Sequence, residues 1–555
     1  MSVSVNWAIS LSPENPVNLA NPCWQYDDLI CFRFINSFLS KGSTATKIPQ
    51  YLGNTCRQVK TSTTKTTILM QFHNNRAKSP LSCYQEIVSL AALFQLDWSF
   101  FMAAFAGFDF GTANCALGTI HANKPQVVAL PDHGNYMLSS LWAPNPEMIC
   151  GWLYRQLKPR GLDRAYALAR STALTASLRA GSEAKLDGYG DEVAFGHHGL
   201  ELYLEDPADC YYVRSPKSFL GSSGVTTRQQ QMFEDISAAM MWQMRSQAEQ
   251  AGIDNLEKVV IGRPVNFQGF NSEDSNRQAL DVLSRAASYV GFKEVEFLYE
   301  PVAAGLSYEM QLERPQRVMV VDIGGGTSDV SMLEMGPKLA QQSDQQRRIL
   351  GFNGERIGGN DFDITLNVRT LMPTLGAGLV DSNGRTIPLK PFFDAAEVNS
   401  IGAQTRFYGK DMLKFLQELQ QKPELATVSR LIKVQQQHMT FQLSALAEQA
   451  KIALSEQPQT QVDLGCIEAN LTADVTQSQF TQASQNLLNR IAYLCDDVMA
   501  QAGCEPDTLY LTGGSANAPF IKAFLADRYQ KPMVSGDNFG SVTSGLTLWA
   551  SRIFS

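Results

Sequence analysis

No run of the 555 residues matches G-x-x-x-x-G-K-[ST], so a Walker-type phosphate loop is excluded as a route to nucleotide. Cysteine is sparse, with ten in all, and no two have C-x-x-C spacing. Neither a zinc site nor a disulfide framework is indicated, and a reducing, cytoplasmic compartment is expected. Basic residues are not in excess: 46 Lys and Arg face 54 Asp and Glu, a net charge of −8. That balance argues against nucleic acid as the main partner, because phosphate backbones are held by a basic field. Long apolar runs are missing too. The most apolar stretch, 87–106, is broken by Gln95 and Asp97 and followed by Asp109, which does not suit a membrane span of about 20 apolar residues. The opening MSVSVNWAISLSPENP lacks the basic start and apolar run of a secretory signal.

What is present is a globular composition, 44% hydrophobic and 18% charged, over a length that suits about three or four domains. The start is uneven. Residues 1–100 carry a net charge of +3 and four of the ten cysteines, while the rest carries −11.

Two similar segments then stand out. Phe105-Ala-Gly-Phe-Asp109-Phe-Gly111-Thr112-Ala113-Asn114 reads as a strand ending in a glycine turn, followed by a second apolar run, Cys115 to Ile120. Arg317-Val-Met-Val-Val-Asp322-Ile-Gly324-Gly325-Gly326-Thr327-Ser-Asp329 repeats the pattern 213 residues later. A repeat at that distance suggests two similar domains facing each other rather than a short-period solenoid. Glycines at 111 and 324–326 let backbone N–H groups approach phosphate oxygens, and Thr112 and Thr327 add hydroxyl donors. Asp109 and Asp322 cannot bind phosphate directly but can hold a hydrated Mg²⁺ that bridges nucleotide phosphates. Taken singly, each motif is more often an ordinary turn; the ordered pair is what carries the reading. A third unit, the strand Thr508–Thr512, the turn Gly513-Gly514-Ser515 and a helical pattern from Ala518 to Tyr529, can bring backbone close to a planar ligand.

These segments resemble the two phosphate motifs and the adenosine motif of the actin, sugar kinase and heat-shock ATPase superfamily. Glu300-Pro-Val-Ala-Ala-Gly-Leu306, Arg356-Ile-Gly-Gly-Asn-Asp-Phe-Asp363 and Glu448-Gln-Ala-Lys451-Ile-Ala-Leu-Ser455 resemble segments of its DnaK-type heat-shock branch, over about residues 104–555. The phrases KSFLG, IGRPVNFQG and FGSVTSGL look most like the YegD group of that branch. The resemblance implies an α/β, two-lobed actin-like ATPase fold, built of duplicated ribonuclease-H-like domains with inserted outer subdomains. One lobe is expected over 104–312 plus 532–555, the other over 313–531, with an enlarged helical subdomain at about 364–450 and a helical pattern from Lys410 to Ser455. It also implies roles. Asp109 and Asp322 would flank Mg²⁺ and the phosphates, with Asp329 a further ligand for K⁺ or water. Lys217 and Glu300 would orient the attacking water, with Asp322 and Thr327 completing the catalytic set. Gly111, Thr112, Ala113, Asn114 and Gly324 to Gly326 would hold the phosphates of ATP or ADP, and Gly513, Gly514 and Ser515 would line the base and ribose; Glu448, Lys451 and Ser455 share one helical face on that side, with Glu448 and Lys451 bonding the ribose hydroxyls. Without the resemblance, Lys217 is a solvated surface lysine, and Glu448 and Lys451 an exposed ion pair.

The chain departs from the family pattern in several places. Ile452 stands where the family stacks an arginine on adenine, which predicts weaker nucleotide binding or a base held by apolar packing. Ala113 replaces a threonine. The peptide-binding domain of the family is not expected, since the last helix, Ser541 to Arg552, leads to Ser555. Residues 1–103 are expected to be an unstructured extension or a gene-model artefact. The function that follows is a slow ATPase switch, a monomeric chaperone-type protein with unidentified protein partners or clients. The alternatives are a small-molecule kinase, an actin-like filament protein or a reactivating-factor subunit.

Overall fold

The computed structural model describes residues 104–207, 210–267, 273–337, 339, 348–536 and 540–554, together with the backbone of three short strands before them. The chain forms two units, Met1–Trp98 and Ser99–Ser555. In the first, Ile9–Ser10 and Lys60–Ser62 flank Lys65–Ile68 in an antiparallel sheet. What else was expected of residues 1–103 lies outside the described residues.

The second unit contains two central sheets of one topology. In the first, β1 (Ala104–Phe110), β2 (Asn114–His121) and β3 (Lys124–Val127) form an antiparallel meander. Beyond β1, β4 (Leu256–Arg263) and β5 (Glu294–Tyr299) add in parallel, giving the order β5-β4-β1-β2-β3. In the second, β6 (Gln316–Ile323), β7 (Ser328–Met335) and β8 (Ile349–Glu355) form the meander, and β9 (Thr508–Thr512) and β10 (Met533–Ser535) add in parallel beyond β6. The order is again β10-β9-β6-β7-β8. The repeated Asp-Gly motif therefore marks a repeat of whole sheets.

Five helices frame the site: α1 (Glu300–Glu309), α2 (Gly359–Leu366), α3 (Thr440–Ala453), α4 (Pro519–Tyr529) and α5 (Gly540–Phe554). α1 follows the first sheet but packs on β6 and β7, and α5 follows the second sheet but packs on β1 and β4. The two helices cross so closely that a Cβ on Gly545 would lie 1.7 Å from the Ala303 carbonyl oxygen. Only glycine fits at that crossing.

Strand alternation then sorts side chains into layers. On β6, Met319, Val321 and Ile323 join the outer core of the second lobe. Val318 and Val320 face the opposite way, into an inner core shared with Ala303 of α1 and Leu546 of α5. On β1, Ala106, Phe108 and Phe110 enter the outer core of the first lobe, while Phe105 packs on the inner core. Being buried on both faces explains why these strands read as continuous apolar runs rather than alternating ones.

Two expectations about elements take a more particular form. The helical pattern from Lys410 to Ser455 takes the form of three helices, Lys410–Gln420, Ser429–Gln436 and α3. Pro423, which lacks an N–H donor, opens a tight turn of helix at Pro423–Val428, and His438 has a φ of 53° that an α-helix does not allow. The strand β10 pairs with β9, so of the segment 532–555 it is α5 that reaches the first sheet.

Candidate functional site

The same alternation aims both motif aspartates inward. Asp109 shares the strand face of Phe105, and Asp322 that of Val318 and Val320, so each projects from a strand end on the side between the two sheets. The hairpin turns beyond them meet. A Cβ on Gly325 would lie 2.7 Å from Ala113 Cβ, and one on Gly326 would lie 2.7 Å from Thr112 Cγ2. The first turn is braced by Ser139, whose Oγ donates to the Gly111 carbonyl at 2.7 Å and whose N–H donates to the Ala113 carbonyl at 2.8 Å. The second is closed by Gly324 N–H donating to the Thr327 carbonyl at 2.9 Å. The third turn joins them, with Ser515 N–H donating to the Ile323 carbonyl at 3.1 Å. Gly513 there has a φ of 86°, and a Cβ on it would lie 2.5 Å from Asp322 Oδ1. Both facts require glycine.

A cleft of about 430 Å³ opens over these turns, within the range of small-molecule sites. Asp109, Gly111, Thr112, Ala113, Asn114, Glu300, Asp322, Gly324, Gly325 and Thr327 line one end. Glu448, Lys451, Ser455, Gly513, Gly514 and Ser515 line the other, beside Ile452. Three of the residues proposed from sequence stand outside the lining. Lys217 is buried and donates to Glu300 Oε1. It is therefore not a surface lysine. Asp329 Oδ1 accepts from Val265 N–H at 2.7 Å, while among the described residues its buried Oδ2 has no hydrogen-bond partner. Gly326 and Lys217 face a smaller cavity beyond Thr112 and Thr327.

The phosphate end holds four carboxylates and one lysine. Burial, reinforced by Glu300, raises Asp109 to about 7, and the same two causes raise Asp329 to about 7. Burial and the neighbouring carboxylates push Asp322 well above the ordinary carboxylate range. Burial works against the charge on Lys217, yet Glu300 and Asp109 hold its pKa above that of a free lysine. Such an excess of buried negative charge suits a cation. Among the described residues no three His, Cys, Asp or Glu side chains gather closely enough to chelate one unaided. The donor set fits Mg²⁺, which takes one or two carboxylates and completes its shell from phosphate oxygens and water.

At the other end, Glu448 and Lys451 do not pair with each other. Arg214 donates to Glu448 Oε2 at 2.6 Å, and Lys451 lies 2.7 Å from Asp363 Oδ1. Burial would raise Glu448, but Arg214 and Lys451 outweigh it and hold the carboxyl below its ordinary value. Burial raises Asp363 to about 6, with Lys451 opposing. Ser455 Oγ donates to the Lys451 carbonyl at 3.3 Å, leaving its lone pairs toward the cleft. Sequence reasoning assigned no role to Asp363, Asn360, Phe520 or Arg214. Asp363 and Asn360 lay within the quoted GGNDFD segment, which was the available signal; Arg214 and Phe520 carried none.

The family model described as "Hsp70 protein" matches residues 218–372 and 396–548, together more than half of the chain. The chain belongs to the Hsp70 family. This Hsp70-family chain has the actin-like ATPase fold, to which the paired sheets, crossed helices and central cleft belong. Curated relatives include Chaperone protein dnaK3 of Thermosynechococcus vestitus, 26% identical over 438 residues, which cover 76% of this chain and 51% of that protein. Chaperone protein DnaK of Prochlorococcus marinus is 23% identical over 435 residues, covering 76% of this chain and 55% of the relative. The chain thus spans about half the length of the curated relatives it matches. Among the described residues, no helix is long and apolar enough to cross a membrane.

Proposed function

We propose that this chain binds ATP with Mg²⁺ in the cleft and hydrolyses it slowly, as a nucleotide-driven conformational switch of the chaperone type. The observation that carries the reading is the contact of two glycine turns, Gly111–Asn114 and Gly324–Thr327, each with an aspartate at its root. Turns that face each other at this distance present N–H donors to a polyphosphate from two sides, which is electrostatic stabilisation built in before the reaction starts. Asp109 and Asp322 would hold Mg²⁺, which supplies neutralising charge on the leaving diphosphate. Asp329, through Oδ2, would hold K⁺ or a water. Lys217 and Glu300 keep each other fixed at the rear of the phosphate turns, where they orient the attacking water and offset negative charge.

Hydrolysis is favoured over transfer to a sugar hydroxyl because the cavity behind Thr112 and Thr327 has room for about one water molecule, not for a polyol. The base would lie between Ile452 and Phe520, with Glu448 and Lys451 reaching the ribose once they loosen from Arg214 and Asp363. Arg214 of the first lobe donates to the cleft-lining Glu448 of the second, so lobe opening would break this pair and free Glu448 for nucleotide. Membership of the YegD group, a cytoplasmic setting, a monomeric state and unidentified protein partners complete the proposal. The test is an ATP turnover assay with Mg²⁺, with and without captured partners. ATP binding with turnover in the slow range supports it, whereas transfer of phosphate to an added sugar or polyol overturns it.

A further inference from the structure

Ser215 holds a backbone conformation that its residue type disfavours. Its φ of 56° and ψ of 50° lie in the left-handed region, its side chain is buried, and Pro216 follows it. A residue with a Cβ is crowded in that region, and a residue before proline is steered to extended backbone instead. Such strain persists only where the surroundings over-determine it, and it gathers at functional positions.

The surroundings here come from both lobes. Ser215 N–H donates to the Ser139 carbonyl at 2.8 Å, and Ser139 is the residue that braces the first phosphate turn at Gly111 and Ala113. The Ser215 carbonyl accepts from Ser218 N–H at 2.9 Å, which closes the tight turn Pro216–Phe219 that carries Lys217. Left-handed backbone is what lets the N–H stay in register with the strand Tyr211–Arg214 while the carbonyl already belongs to that turn. From the second lobe, Asn360 Nδ2 donates to Ser215 Oγ at 3.4 Å. Asn360 N–H is bonded in its turn to the Gly325 carbonyl at 2.8 Å, on the second phosphate turn. One side-chain hydrogen bond therefore joins the second phosphate turn to the segment that brings Lys217 to Glu300.

We propose that Ser215 is a positioning residue for Lys217, and that the Asn360–Ser215 bond is the clasp by which closure of the lobes sets it; the inference rests on the hydrolytic reading above. With the lobes apart the hold from Asn360 is gone, and the strain stored at Ser215 favours relaxation of the turn that follows. Lys217 is then free to leave the place from which it orients water. Asn360 lines the main cleft and Ser215 does not, so Ser215 acts through Lys217 and not on the nucleotide. Loss of the clasp accordingly falls on the cleavage step and spares ATP binding.

The test measures single-turnover ATP cleavage and ATP affinity, both with Mg²⁺, in the native full chain, Ser215→Ala, Ser215→Gly, Asn360→Ala and each double variant. Glycine takes left-handed backbone freely, so Ser215→Gly removes the hydroxyl without the strain and serves if Ser215→Ala does not fold. Each single variant is expected to cleave about fivefold more slowly, the worth of one hydrogen bond, with ATP affinity held within about twofold. The double variants should be no slower than the single ones, since the same bond is lost in all of them. Cleavage at the native rate in Asn360→Ala or in the Ser215 variants overturns the proposal. So do losses that multiply in the double variants, which would put Asn360 on the nucleotide itself, and an affinity loss as large as the loss of cleavage, which would make Ser215 merely structural. If the native protein binds ATP and does not cleave it, the hydrolytic reading fails and this inference fails with it.

Discussion

Ala113 and Gly325 touch across the boundary between the lobes: a Cβ added to Gly325 would lie 2.7 Å from Ala113 Cβ and 3.0 Å from Ala113 N. Two turns 212 residues apart in sequence are thereby brought into van der Waals contact at the phosphate end of the cleft. Gly325→Ala is expected to spread the turns and weaken ATP binding at least about tenfold, a loss of about 1.4 kcal/mol. Calorimetric titration with ATP and Mg²⁺ measures it; an unchanged affinity would remove the turns from phosphate binding.

Removing Lys217 should have two separable effects. Lys217→Ala leaves Glu300 buried without its cation, which costs about 3–5 kcal/mol of stability. Adding Glu300→Gln removes the orphaned charge and should recover much of that stability, as read by urea unfolding. Hydrolysis should stay lost in both. Recovery of turnover along with stability would show that the pair is structural only.

The base side makes a gain-of-function prediction. Ile452 is 58% exposed and lines the cleft, so a longer side chain has room there. Ile452→Arg places a planar guanidinium over the base and is expected to tighten ADP binding about three- to tenfold. A competition assay between ADP and ATP analogues lacking the base would show whether the gain depends on the base. No gain, or an equal gain for both ligands, would place the base elsewhere.

How legible all this was in the sequence depends on range. Asp109, Asp322 and the three glycine turns were readable because their spacing is local: a strand, an aspartate at its end, a turn that needs glycine. The repeat of that pattern even announced the paired sheets. Partners distant in sequence were not readable. Nothing near Glu448 indicates Arg214, 234 residues away, and nothing near Lys451 indicates Asp363, 88 residues away. The burial of Lys217 is likewise a product of packing, since Ser-Pro-Lys-Ser carries no apolar pattern. The break of the helical stretch at Pro423 and His438 had a visible signal in the proline alone, outweighed by helical periodicity on either side.

The charge of the cleft gives a pH dependence. Burial raises Asp109 and Asp329 to about 7, so between about pH 4 and pH 7 the folded state holds protons that the unfolded chain has already lost; stability falls across that window, and by about pH 7 both carboxylates carry their charge in the fold. A cation offsets that charge only when it is present. The thermal stabilisation that Mg²⁺ adds to the ADP complex should therefore grow between about pH 6 and pH 8. Differential scanning calorimetry with Mg²⁺ or with chelator at each pH reads it directly. A Mg²⁺ effect that shrinks as the pH rises would contradict the assignment of these carboxylates to the cation.

The central claim is that the facing turns and their aspartates form an ATP-hydrolysing site. Single-turnover cleavage of radiolabelled ATP by native protein and by Asp322→Ala, at ATP concentrations that saturate both, tests it most directly. The account predicts slow cleavage to ADP and phosphate in the native protein and a loss of cleavage in Asp322→Ala, with measurable ATP binding remaining in the variant. Cleavage at the native rate in Asp322→Ala would contradict it.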